Sequence, residues 1–334
     1  MKNSQRGRGI IFQYRMVGAH MSSLKNSKIV VVGAGHVGES VAFSLMLKEV
    51  ASELVMIDVD AERAEGSVFD MEDATAFYSE TTVRTGSYQE CENADIIIVT
   101  AGIARKPGQT RLDLAKTNAS IVRSITTNIM EYAKNPIILV VSNPVDVMTA
   151  VIQEASKLPV GRVIGTGTML DTARLRRLIS EECEVAVTDV NAYVLGEHGD
   201  TQVAVWSRAT IGGENLKGYF ECINKDLDFE ELAKTAKTSG ATIIKKKGAT
   251  FLGIAMCAAR ICEIIMRNEH AILPVAHVLD ASYGEWQGAA ISLPSVIGKD
   301  GIVRTINIKL SEEEKKAMDH SAKTLKAFKD DVIG

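Results

Sequence analysis

The chain has 334 residues, 46% of them apolar, and a net charge of −4 at neutral pH that is spread without blocks. That length allows two domains, the charge gives no electrostatic footprint for nucleic acid or an anionic membrane, and no apolar run reaches the ~18 residues of a membrane span. The five cysteines (Cys91, Cys183, Cys222, Cys257 and Cys262) lack metal or CxxC spacing and the six histidines form no HExxH-like cluster, so the expectation is no metal and reduced thiols in a cytoplasmic protein.

Residues 1–26 carry Lys2, Arg6, Arg8, Arg15 and Lys25 and no acid. They lack the apolar core of a secretion signal. A basic, mobile extension is expected, or an upstream start with Met21 as the usual beginning, ahead of an organelle presequence.

Lys28 to Val32 is a short apolar, β-branched run, followed at once by Gly33-Ala34-Gly35-His36-Val37-Gly38. A helical pattern then covers Glu39 to Val50, and a second apolar run, Leu54 to Ile57, ends at Asp58, twenty residues past Gly38. Strand, glycine turn, helix, strand and acid in this order each have a physical job. Gly33 permits the tight turn, Gly35 lets a pyrophosphate approach the backbone, and Gly38 lets the helix pack closely on the strand. The helix N-terminus offers free N–H groups and positive dipole to the phosphates. Asp58 accepts hydrogen bonds from an adenosine ribose and repels a 2′-phosphate, which favours NAD over NADP. A glycine-rich turn alone, without these neighbours, is weak evidence.

Ala94 to Thr100 reads as a third buried strand, Arg111 to Lys134 as a long helix capped by Thr110 with Asp113, and Ile137 to Ser142 as another strand. Runs that are apolar throughout indicate strands covered on both faces, hence a parallel sheet. The fold class expected is α/β, a Rossmann-type doubly wound parallel sheet over residues 27–165. Its ligand would sit beyond the carboxyl ends of the strands, at Gly33, Asp58, Thr100-Ala101-Gly102 and Ser142-Asn143-Pro144.

Residues 166–334 read as an α+β catalytic domain. A helix spans Leu170 to Glu182. Val187 to Leu195 and Gln202 to Ile211 look like strands flanking Gly196-Glu197-His198-Gly199-Asp200. Leu232 to Asn268 is helical with a break near Lys246-Lys247-Gly248. Ile291 to Ile308 suggests a hairpin turning at Lys299-Asp300-Gly301, and Ser311 to Asp331 a capped amphipathic helix.

Several residues are suited to chemistry. His198, flanked by glycines, can trade a proton near neutral pH, as reduction of a ketone by hydride requires; a turn histidine by itself is ordinary polar surface. Asp171 and Arg174 share one helix face. They read either as a simple ion pair or as a split pair, Asp171 orienting a histidine and Arg174 gripping a carboxylate with its planar fork. Arg105 and Arg111 lie in a basic loop after the third strand, either solvated or a lid that closes a cation onto a substrate carbonyl. Asn143 ends a strand at the same crevice and can hydrogen-bond that carbonyl.

Together these segments resemble the L-2-hydroxy-acid dehydrogenases of the lactate/malate dehydrogenase family, from about Lys28 to the C-terminal helix, roughly nine tenths of the chain. The resemblance rests on the glycine turn 33–38, Lys106-Pro107-Gly108-Gln109-Thr110-Arg111, Ser142-Asn143-Pro144-Val145-Asp146, Leu170-Asp171-Thr172-Ala173-Arg174 and Gly196 to Asp200. It implies that His198 donates and accepts the proton, Asp171 partners it, Arg111 polarises the carbonyl and Arg174 binds the carboxylate. It places Gly33, Gly35, Val37, Gly38, Asp58, Arg63, Tyr88, Gly102, Ser142 and Asn143 around NAD, and implies a homotetramer or dimer.

For the substrate, Gly196 to Asp200 with Val205-Trp206-Ser207, Gly165 to Thr168, and Lys247 to Thr250 resemble the lactate enzymes, Thr250 being the position that touches the substrate side chain. Arg105 resembles the malate enzymes, where an arginine pairs with the second carboxylate of oxaloacetate. Interconversion of pyruvate and L-lactate is the expectation, malate dehydrogenase the alternative, and a non-catalytic NAD-binding protein the remote one. In the family an arginine and a histidine hold the effector fructose 1,6-bisphosphate. Arg176 matches the arginine, but Asn191 stands where the histidine would be, so weak or absent activation is expected.

Overall fold

A computed structural model describes residues 26–103, 108 and 110–333. The N-terminal extension, apart from Asn26, and Arg105 lie outside the described residues.

The chain begins with β1 (Lys28–Val32), α1 (His36–Leu47), β2 (Glu53–Ile57), α2 (Ala61–Tyr78), β3 (Thr82–Thr85), β4 (Ile96–Val99), α3 (Arg111–Tyr132), β5 (Ile137–Val140), α4 (Val145–Ser156), β6 (Val163–Gly165) and α5 (Met169–Cys183). The first six strands are parallel and stand in the order β3-β2-β1-β4-β5-β6. The order reverses between β1 and β4, and a crevice opens there beyond the carboxyl ends of the strands. The continuous apolar runs follow from burial on both faces. Ile29, Val31, Leu54 and Met56 pack on one side with α1, while Val30, Val32, Val55 and Ile57 pack on the other with α3 and α4.

Short pieces follow: β7 (Val190–Asn191), β8 (Val194–Leu195), β9 (Val203–Ala204), β10 (Thr210–Ile211), β11 (Glu214–Asn215) and α6 (Leu216–Ile223). The two longer strands expected over 187–195 and 202–211 are broken by tight helical turns at Val187–Asp189 and Trp206–Arg208. Val190, Val194, Ala209 and Ile211 pack with α5 and α6, while Leu195, Val203 and Val205 pack with other residues around Ile291 and Leu293, so an apolar run here did not mean a continuous strand. Helices α7 (Phe229–Lys247) and α8 (Leu252–Arg267) are separated at Gly248, whose φ of 87° stops the first.

The chain closes with β12 (Ala271–Val278), β13 (Ala290–Gly298), β14 (Gly301–Thr305) and α9 (Glu312–Ile333). These three strands are antiparallel and extend the first sheet past β6, giving nine strands in one sheet among the described residues. The second half, expected as an α+β domain, therefore shares its sheet with the first. Strand β12 was missed in the sequence, and Pro274, which lacks an N–H, disguised it; it lies opposite Pro294. The capping boxes expected at α3 and α9 are present: Asp113 N–H donates to Thr110 Oγ1 at 3.0 Å and Glu314 N–H to Ser311 Oγ at 3.2 Å, with the reciprocal bonds formed.

Candidate active site

The nucleotide half is made by the turn from β1 to α1. Gly33 has φ +112°, and a Cβ on Gly38 would lie 1.8 Å from the Gly33 carbonyl oxygen, so side chains are excluded from both positions. At Gly35 the space is open, with the Arg63 guanidinium 4.0 Å from where a Cβ would stand. Gly35 caps α1 without a side-chain bond, leaving the helix N-terminus and a nearby cation for a diphosphate. Asp58, just past β2, is fixed through Oδ2 by Ala34 N–H at 2.5 Å and through Oδ1 by Asp60 N–H at 2.9 Å. The open backbone at Gly35, the cation and the held carboxylate fit NAD. Ser142 donates to the Ala101 carbonyl at 2.6 Å, tying the ends of β4 and β5 together. Gly102 beside them packs on Asn118, whose amide bridges Ile103 and the Asn143 carbonyl. Tyr88 is half-buried after β3 beside Asn128, and its burial raises the phenol pKa.

The second half centres on His198. Its Nδ1 lies 2.5 Å from Asp171 Oδ2, and Arg174 Nη1 donates to Asp171 Oδ1 at 3.0 Å. With Nδ1 engaged, Nε2 is the nitrogen left to exchange a proton. Burial alone would lower the pKa of the imidazole, but the bond and charge of Asp171, with the charge of Asp146, outweigh it and the net is a raised value. Burial would raise Asp171, yet His198 and Arg174 hold it below the usual carboxylate range. Asp171 therefore forms the simple ion pair with Arg174 and engages the His198 ring at the same time.

Val37, Asn143, Asp171, Arg174, His198 and Thr250 line one cavity of about 350 Å³. Residues up to 213 positions apart in the chain, Val37 and Thr250, thus meet beside the switch point of the sheet. Gln202 and Lys237 also line it, and the sequence reading did not single them out. Arg111 does not line the cavity. It lies against the His198 turn, donating Nη2 to Glu197 at 2.6 Å and Nη1 to Asp200 at 3.4 Å, with its guanidinium 5.2 Å over the Phe328 ring. Glu197, 3% exposed, is the partner the sequence reading overlooked. Burial would raise its pKa, but Thr201 and Arg111 hold it low. Arg176 and Asn191 are elsewhere: Arg176 donates to the Ala192 carbonyl at 2.8 Å and stacks over Tyr193, and Asn191 is exposed in β7.

A doubly wound sheet with a nucleotide turn, and a histidine, a carboxylate and an arginine meeting beside it, define a dinucleotide-dependent oxidoreductase. Residues 27–165 match the lactate/malate dehydrogenase NAD-binding domain and residues 168–333 the alpha/beta C-terminal domain of the same family. The chain belongs to the lactate/malate dehydrogenase family and binds NAD. Among its relatives, L-lactate dehydrogenase 1 of Clostridium acetobutylicum is 41% identical over 312 residues, covering 92% of this chain and 99% of that protein. L-lactate dehydrogenase 1 of Staphylococcus aureus strain JH9 is 44% identical over 309 residues, covering 92% and 97%. The crystal structure of MGS-M5, a lactate dehydrogenase from a Medee basin deep-sea metagenome library, superposes with TM-score 0.89 at 38% identity, covering 92% of this chain and 99% of that one. The ligands-bound minor L-lactate dehydrogenase of Enterococcus mundtii gives 0.87 at 41% identity, covering 92% and 98%.

Proposed function

We propose that the chain is an NAD-dependent L-lactate dehydrogenase that interconverts pyruvate and L-lactate. The observation that carries this reading is the joining of His198, Asp171 and Arg174 in one cavity with Val37 of the nucleotide turn. Bound NADH supplies a hydride to C2 of the keto acid. Arg174 grips the substrate carboxylate, since a planar guanidinium matches it with two parallel hydrogen bonds. His198 donates the proton to the carbonyl oxygen and in reverse takes the hydroxyl proton, and Asp171 fixes its ring. Arg111 opens α3, so release from Glu197 and Asp200 would carry it toward the carbonyl. A donor of that kind is worth about 3–4 kcal/mol once water is excluded. Thr250 bounds the substrate side chain.

The relatives named above support lactate; Arg105 is the residue that speaks for malate. The test is kcat/KM for pyruvate and for oxaloacetate with NADH. Pyruvate should win. A tenfold advantage for oxaloacetate would make the chain a malate dehydrogenase, and NADH binding without turnover of either would make it a non-catalytic protein.

The same reading takes the protein to be a cytoplasmic homotetramer, or a dimer. Supporting an oligomer, Phe69 and Phe77 on α2 and Leu252 and Met256 on α8 are exposed, on the two helices that pack beside α1; large apolar side chains in such numbers suit an interface. Supporting the location, no helix among the described residues is long and apolar enough to cross a membrane, and four of the five cysteines are buried free thiols. For regulation, the reading expects little response to fructose 1,6-bisphosphate. Arg176 is already engaged within its own chain and Asn191 carries no charge. A large fall in the half-saturating pyruvate concentration on adding millimolar effector would refute this.

A further inference from the structure

Three successive backbone N–H groups in the His198 turn are each held by a different element. Gly196 N–H donates to the Ser292 carbonyl in β13 at 3.1 Å, and Glu197 N–H to Ser321 Oγ in α9 at 2.8 Å. His198 N–H donates to Asp146 Oδ2 in α4 at 2.7 Å. The first two acceptors are neutral. The third is a carboxyl group, 3% exposed, whose other oxygen is buried without a protein partner. One N–H does not require a carboxyl group, and burying one half-satisfied is costly.

We propose that Asp146 is a second positioning residue for the catalytic histidine, holding the backbone of His198 from behind while Asp171 holds its ring. This rests on the reading of His198 as proton donor. The turn needs such a hold because Gly196, at φ +87°, and Gly199 flank it with backbone that no side chain stiffens.

Asp146 also faces the imidazole as a charge. The groups around the pair are Asp171 and Arg174 from α5, Glu197 and Asp200 in the turn, Arg111 from α3, Lys237 from α7, and Lys329 from α9, which borders a small cleft behind Asp146. Burial pushes the Asp146 carboxyl up to about 7, against the opposing pull of His198, and its charge in turn favours the imidazolium.

The experiment compares D146A and D146N with the full wild-type chain. NADH binding, followed by its fluorescence, should stay within about twofold, because the nucleotide turn is untouched. D146A should lose about 10- to 100-fold in kcat/KM for pyruvate, the scale of a misplaced reacting group. In D146N the amide oxygen accepts the same N–H, so most of the turnover should return. Its acid limb for lactate oxidation should move to lower pH by about half a unit or more, since a charge favouring the imidazolium is gone. Wild-type turnover in D146A, or a D146N that is as slow as D146A or keeps the wild-type pH profile, would overturn the proposal. Should D146A not fold, the D146N pH profile decides alone. Failure of the wild type itself to reduce pyruvate would instead sink the reading of His198.

Discussion

The turn from Gly33 to Gly38 and the turn from Gly196 to Gly199 both lie at the crevice, and they are held by different means. The first depends on side chains being absent: Gly33 at φ +112°, and Gly38 with no room for a Cβ against the Gly33 carbonyl. Two outside side chains, Asp58 and Thr100, touch its backbone, Thr100 Oγ1 donating to the Gly33 carbonyl at 3.0 Å. The second depends on side chains brought from a distance, Asp146, Asp171 and Ser321, with β13 pairing alongside. Binding of a phosphate chain needs bare backbone of the right shape, which one contiguous segment supplies. Proton transfer needs a ring fixed in angle and charge, which requires several elements to converge.

Substitutions can break each plan separately. The largest effect is expected from G38A, because a methyl group 1.8 Å from a carbonyl oxygen forces β1 and α1 apart. Titration with NADH should show binding weakened by at least about 100-fold, and calorimetry a lower Tm. R174K comes next. The charge remains but the fork and the bond to Asp171 are lost, so kcat/KM for pyruvate should fall by about 100-fold or more, mostly through KM, with NADH binding kept. A near-normal KM would show that another group anchors the carboxylate.

D171N should lower kcat for pyruvate by about 100-fold, within the range of acid–base contributions, and it carries a sign. Asp171 is the main group raising the pKa of His198 against burial. Pyruvate reduction needs the imidazolium, so the raised value extends activity to higher pH, and D171N should pull the alkaline limb downward. An unmoved limb would mean the limb reports another group. The smallest effect is expected from S321A, which removes the acceptor of Glu197 N–H and a contact to Thr201. It should cost about 1–2 kcal/mol in unfolding free energy and leave NADH affinity unchanged. If it abolished turnover, the second turn would depend on that one clamp more than the structure suggests.

The same contrast decides what could be read from the sequence. The nucleotide turn is local, so its glycines, the strands around it and Asp58 were legible as spacing. The helix caps at Thr110 and Ser311 were legible for the same reason. Strand β3 offered too little signal, with Val83 its one fully buried residue, and β12 was masked by Pro274. Asp171 and Arg174 were legible as a helix-face pair and His198 as a turn histidine, but only family resemblance joined them, because nothing local says that residues 27 positions apart share a proton. Asp146, three residues after Asn143, and Glu197, next to the histidine, carry no local signal of a role. Their meaning lies in a bond to a backbone N–H 52 residues away and in an arginine 86 residues away, which spacing cannot show.

The most direct measurement is turnover of pyruvate and binding of NADH by H198N, side by side with wild type. The account has the nucleotide turn binding the cofactor and the histidine turn moving the proton. It predicts NADH affinity within about twofold of wild type and kcat for pyruvate lower by a factor on the order of 1000. Wild-type turnover in H198N would contradict it, whatever the cofactor affinity.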